Sequence, residues 1–133
     1  MHYNTSCSCG QISVSAFFPS SIEEYQARRC DCDFCVSRGL EYLSDVNGTI
    51  SFSPKNKMNQ LKQGSDQAIF WECNNCQDVV AVTNSKDGET RGALVKALFG
   101  NSYQLKPSIT VSPKKLSPSE KTERWLTVWS KVI

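Results

Sequence analysis

The chain has 133 residues, 39% of them hydrophobic and 21% charged, with a formal net charge of +2; this suffices for one ordinary core and excludes a molecule-wide basic surface for polyanions. No apolar run approaches the roughly twenty residues that cross a bilayer, and the opening "MHYNTSCSCGQ" lacks the basic-then-apolar order of a secretory signal. The expectation is one cytoplasmic domain over residues 1–133, with no membrane partner.

In chain order, "QISVSAFF" (residues 11–18) alternates partially and stops at Pro19-Ser20-Ser21, which predicts a strand and a turn. "LEYLS" and "TISFS" flank Asp45-Val46-Asn47-Gly48, and Asn-Gly suits the positive φ of a tight turn, so a hairpin is predicted there. "QAIFWEC", "DVVAVTN" and "GALVKALF" read as three further strands, the last also compatible with a short helix. From Ser102 onward, Pro107, Pro113 and Pro118 predict extended or loop chain, closed by a helix after Ser117-Pro118 that carries Trp125, Leu126, Val128 and Trp129. The expected class is mainly β, with cysteine knuckles on the loops.

Seven cysteines are an odd number, which no complete set of internal disulfides can use, and in a reducing compartment their clustering points to metal or thiol chemistry. Cys73 and Cys76 have the C-x-x-C spacing of a zinc knuckle. Cys7 and Cys9, as C-x-C, share one face if the segment is extended. Each pair is half of a tetrahedral site, and joining them leaves Cys30, Cys32 and Cys35 of "RRCDCDFCVSRG" as a set of three. Structural zinc sites are closed by four protein ligands and catalytic ones keep a position open, so the triplet reads as an open site. Other partitions remain: Cys30 and Cys32 with Cys73 and Cys76, a second structural site completed by His2, Asp31, Asp33 or water, or a redox pair of Cys32 and Cys35. Four thiolates on one divalent ion leave −2 and three on another leave −1, which brings the formal +2 to −1. A nucleic-acid partner gains no support from that charge.

The order CSCG (7–10), CDCDFC (30–35) and CNNC (73–76) resembles the glutathione-dependent formaldehyde-activating enzymes and the related centromere protein V. The resemblance covers roughly residues 5–99. It implies a β-tent domain of antiparallel sheets with two Zn²⁺: a structural ion on Cys7, Cys9, Cys73 and Cys76, and a catalytic ion on Cys30, Cys32 and Cys35. It also implies a carbon-sulfur lyase activity in which glutathione, the cosubstrate, adds to formaldehyde to give S-hydroxymethylglutathione. The chain departs from the family at Asp31, where His is usual, at Val36, where Arg is usual, and at Gln77, where Gly is usual. These positions border the site and leave the thiol substrate and the electrophile open.

Three thiolates make zinc a poorer Lewis acid than neutral histidines would, which suits a bound thiol better than water activation. Arg28, Arg29 and Arg38 are candidates for glutathione's carboxylates, since Arg pairs with carboxylates in a bidentate way; as ordinary surface arginines they need no ligand. Phe34 and Trp71 are candidates for pocket walls or for core. The second functional class is a non-catalytic zinc-stabilised module with a protein or nucleic-acid partner, resting on Lys114, Lys115, Lys121, Arg124 and Lys131, which Glu120 and Glu123 interrupt.

Overall fold

The structure, a computed structural model, describes residues 1–63, 67–100 and 103–133; Ser102, where the C-terminal segment begins, lies outside them. In chain order the elements are β1 (His2–Ser6), β2 (Ser13–Phe17), β3 (Arg28–Cys30), α1 (Asp33–Arg38), β4 (Glu41–Leu43), β5 (Thr49–Ser53), β6 (Met58–Lys62), β7 (Ile69–Cys73), β8 (Val79–Lys86), β9 (Glu89–Val95), β10 (Ile109–Val111), α2 (Pro118–Val128) and β11 (Ser130–Val132). The class is mainly β, as expected. One path of strands runs β1-β2-β5-β11-β9-β4-β3-β10, and β6, β7 and β8 join it through β9. The pairings are antiparallel except β3 with β10 and β5 with β11.

Side-chain alternation explains the pairing. On β2, Val14 and Ala16 are buried while Ser13 and Ser15 face out, the pattern of a half-buried strand. Residues 79–83 on β8 are all buried, because this strand lies between two cores. On β9, Leu94 faces the core of Phe18, Ile12 and Ile50, and Ala93 and Val95 face the core of Phe34, Phe70 and the α2 tryptophans. Successive residues of a strand point to opposite faces, so β9 serves both.

One reading of the sequence is corrected. β4 and β5 do not form a hairpin: β4 pairs with β3 and β9, and β5 with β2 and β11. The Asp45–Gly48 turn exists, with Gly48 N–H donating to Asp45 O at 2.8 Å. Gly48 is demanded there by close approach, since a Cβ would meet Phe17 O at 2.6 Å. "GALVKALF" is a strand through Val95 and then a 3-10 turn over Lys96–Phe99.

The predicted closing helix is α2. Ser117 accepts from Glu120 N–H while the Glu120 carboxylate accepts from Ser117 N–H, and Pro118 opens the first turn, a capping box that fixes where the helix starts. Its far end and the start of β11 are fastened to the chain just after β4: Ser44 Oγ donates to Val128 O at 2.6 Å, and Ser130 Oγ donates to Asp45 O at 2.7 Å while accepting from Asp45 N–H at 2.9 Å. Among the described residues no helix is long and apolar enough to cross a membrane.

Candidate metal centres

The chain gathers its seven thiols into two clusters, Cys7 with Cys9, Cys73 and Cys76, and Cys30 with Cys32 and Cys35, each with all sulfurs within 4.8 Å of one another. Either could hold a metal ion. A tetrahedral ion with metal–sulfur bonds of about 2.3 Å has sulfur–sulfur edges of about 3.8 Å. The Cys7–Cys9 and Cys9–Cys73 separations are 3.6 and 3.7 Å, so the donor set fits such an ion.

Two turns build the four-cysteine centre. Cys7 and Cys9 do not lie on an extended segment as expected; the chain turns after β1, with Gly10 N–H donating to Cys7 O at 3.0 Å and Gly10 at φ 79°. Cys73 ends β7, and the Asn74-Asn75 turn returns Cys76 to it, closed by Gln77 N–H on Cys73 O at 3.0 Å. Backbone and side-chain N–H groups point at the sulfurs: Ile12 N to Cys7 at 3.3 Å, Asn75 N to Cys73 at 3.4 Å, Gln11 Nε2 to Cys73 at 3.4 Å. Such donors spread the negative charge of thiolates. The Asp78 carboxylate accepts from the Ser8 amide at 2.8 Å and from its hydroxyl, tying one turn to the other.

The triplet straddles a strand end and a helix start. Cys30 ends β3, Cys32 caps α1 and accepts from Cys35 N–H at 3.5 Å, and Cys35 lies in the first turn. Cys35 is buried, Cys30 and Cys32 half-buried. Behind them Cys35 Sγ is 3.1 Å from the buried Tyr42 hydroxyl. No histidine or carboxylate joins the triplet among the described residues. His2 pairs with Phe17 on β1, and one Asp31 oxygen accepts from Ser112 Oγ at 2.5 Å.

Electrostatics set the three thiols against one another. The hydrogen bond from Cys35 holds Cys30 down to about 6; the same contact, then burial, pushes Cys35 up, and burial raises Cys32. In the four-cysteine centre the Asn75 side chain and the Gln11 backbone lower Cys9 to about 6, while burial pushes Cys76 up to about 11. Cys30 and Cys9 form thiolates readily, while Cys32, Cys35 and Cys76 beside them hold their protons more tightly. A divalent cation removes that conflict, since it stabilises every thiolate together.

Cys30 and Cys32 form part of the wall of a cavity of about 140 Å³. Among the described residues its charged lining residues are Arg28, Lys114, Lys121 and Arg124. Arg28 Nη2 donates to Ser44 Oγ at 2.5 Å; burial and then the neighbouring Arg124 lower it to about 10, which leaves it charged at neutral pH. Of the three arginines singled out in the sequence, Arg28 alone lines this cavity. Arg29 pairs with Glu41 at 2.8 Å, and Arg38 lies over the Phe34 ring, 4.0 Å from its centroid, bordering a different cavity with Ser8 and Gln77. Phe34 packs on Phe70, and Trp71 on Phe52 with its indole N–H on Thr83 at 2.8 Å; neither lines the cavity. Val36 is 60% exposed and outside it too. Sequence reasoning missed the aromatic wall that is present, Trp125 and Trp129 of α2. Their only signal was apolar spacing, which core packing explains equally.

No protein-family model and no curated protein matches the chain. Among solved structures it is similar to a Rhodobacter sphaeroides protein determined as a structural genomics target, with a TM-score of 0.59 and 18% identity over 80% of this chain and 100% of that one. That similarity extends to the fold alone.

Proposed function

We propose that the protein binds two zinc ions and acts as a carbon-sulfur lyase on a glutathione adduct, of which S-hydroxymethylglutathione, formed from glutathione and formaldehyde, is the simplest. The observation that carries this reading is the asymmetry between the clusters. Four cysteines complete one centre, whereas the other has three, of which Cys30 and Cys32 line a cavity whose charged lining, among the described residues, is positive.

Cys30, Cys32 and Cys35 would hold the second zinc, which supplies a coordination position that keeps a substrate sulfur as thiolate. The chain's own residues do the rest. Arg28, fixed by Ser44, and Arg124 present positive charge to an anionic substrate. In the addition, the sulfur lone pair forms the carbon-sulfur bond while the carbonyl π pair moves to oxygen. That oxygen takes up one proton, balancing the one the thiol gave up; the reverse sequence cleaves the bond. Tyr42 keeps its proton, since burial and then the charge of Cys35 raise it, and it stays a donor to that sulfur.

The test is calorimetry with glutathione on the zinc-loaded wild type and on Cys32→Ser, followed by S-hydroxymethylglutathione formation against an enzyme-free control. Binding lost in Cys32→Ser and a rate above the control are the expected results. No glutathione binding by the wild type would leave a non-catalytic zinc module as the better reading.

A further inference from the structure

The cavity beside Cys30 and Cys32 is lined by two kinds of residue, cationic and apolar. Ala68, Phe70, Val82, Trp125 and Trp129 make one side apolar. The two indoles are stacked, centroids 4.5 Å apart and planes within 8°, on a helix end held by Ser44 and by Arg91 Nη1, which donates to Trp129 O at 3.1 Å. This wall is therefore fixed before any ligand arrives. Its two tryptophans come from the end of α2, beyond the residues that resemble the formaldehyde-activating family, whereas Ala68, Phe70 and Val82 lie within them.

Formaldehyde brings a single carbon and leaves such a wall uncovered. The cavity measures about 140 Å³, and a dry apolar cavity of about 150 Å³ is large enough to take up benzene. Apolar volume on this scale beside two thiolate ligands has a use if the carbon joined to sulfur carries a group of that size. The cations then serve the other half of the molecule, because glutathione's carboxylates need positive partners.

We propose that the electrophilic half of the substrate is an apolar carbonyl compound, aromatic or branched-alkyl, seated against Trp125, Phe70 and Val82, with the glutathione half reaching the cations. The reaction adds the thiol across the aldehyde: a carbon-sulfur bond forms, the carbonyl π pair becomes an oxygen lone pair, and the thiol's proton ends on that oxygen. No oxidant or reductant enters. This inference rests on the thiol reading above and names the partner of that thiol.

Stable thioethers separate the two ideas. Calorimetry on the zinc-loaded protein compares glutathione, S-methylglutathione and S-benzylglutathione. The benzyl thioether should bind about tenfold or more tightly than the methyl one, as expected for burying one aromatic group. In Ala68→Leu, which fills the cavity without opening a void, the difference should fall to about twofold or less; Trp125→Ala should reduce it as well. Equal binding of the two thioethers by the wild type, or a preference that persists in Ala68→Leu, overturns the apolar partner while glutathione binding leaves the thiol reading standing. Loss of all glutathione binding overturns both.

Discussion

The hydroxyl of Tyr42 lies 3.1 Å from the sulfur of Cys35, and both are buried. A phenol that keeps its proton is a donor to a ligand thiolate, and outer partners of this kind orient the ligand and offset its charge. Tyr42→Phe should lower zinc affinity at the triplet by about tenfold. Competition with a chromophoric chelator should show one weakened site and one unchanged.

The two clusters should also differ when broken. Cys7 and Cys73 sit in the core with Ile12 and Phe52, and their centre links chain segments more than sixty residues apart, so an ion held there would contribute folding free energy. Cys76→Ser should lower the melting temperature by about 10 °C or more. Cys32→Ser should lose one zinc of two with a smaller shift. Elemental analysis beside thermal melts distinguishes the outcomes, and equal shifts would make both centres structural.

How far the sequence carried the argument depends on the range of each signal. The thiol partition was legible because C-x-x-C and C-x-C are local geometries, and Cys73 and Cys76 meet Cys7 and Cys9 as the spacing implied. The Asn47-Gly48 signal misled because it was read as a demand for positive φ, whereas Gly48 makes room for Phe17 O and strands β4 and β5 find partners elsewhere. The cavity was illegible: its walls come from β3, β4, β7, β8, β10 and α2, and no local pattern reports that Trp125, a member of the core, also lines a cavity with Cys32.

Gln77 occupies a left-handed backbone position, φ 62°, which explains in physical terms why glycine suits the residue after this C-x-x-C. A non-glycine side chain pays about 1 kcal/mol or more there, and glycine loses part of that gain through its freer unfolded chain. Gln77→Gly should be neutral or stabilising by less than about 1 kcal/mol. Gln77→Val, β-branched at the same φ, should destabilise by about 1 to 2 kcal/mol. Denaturant midpoints read both.

Cys9 gives a pH-dependent signature in metal-stripped protein that retains its native circular dichroism. Its thiol is lowered to about 6, so the reactive thiolate is present above that pH and is lost as pH falls through it. Cys76, pushed up to about 11, stays a thiol across the same range. Iodoacetamide at about pH 8.5, midway between about 6 and about 11, should label Cys9 well ahead of Cys76, and the Cys9 rate should fall with a midpoint near 6. Zinc should protect both, and labelling of the two at equal rates would remove the proposed contrast.

Arg28 and Arg124 line one cavity, in which no carboxylate is found among the described residues, and the charge of Arg124 contributes to lowering Arg28. Two like charges held together oppose folding, and the same two charges favour an anion that comes between them. Arg124→Gln should therefore raise the melting temperature slightly and weaken glutathione binding, two effects of opposite sign from one substitution. Salt should imitate it: added sodium chloride screens the repulsion and the attraction together, so binding to the wild type should weaken with ionic strength more steeply than binding to Arg124→Gln. A variant that loses both stability and affinity would show instead that the Arg124 stem is packing against Trp125 or Val128, and that the positive field is not what draws the ligand.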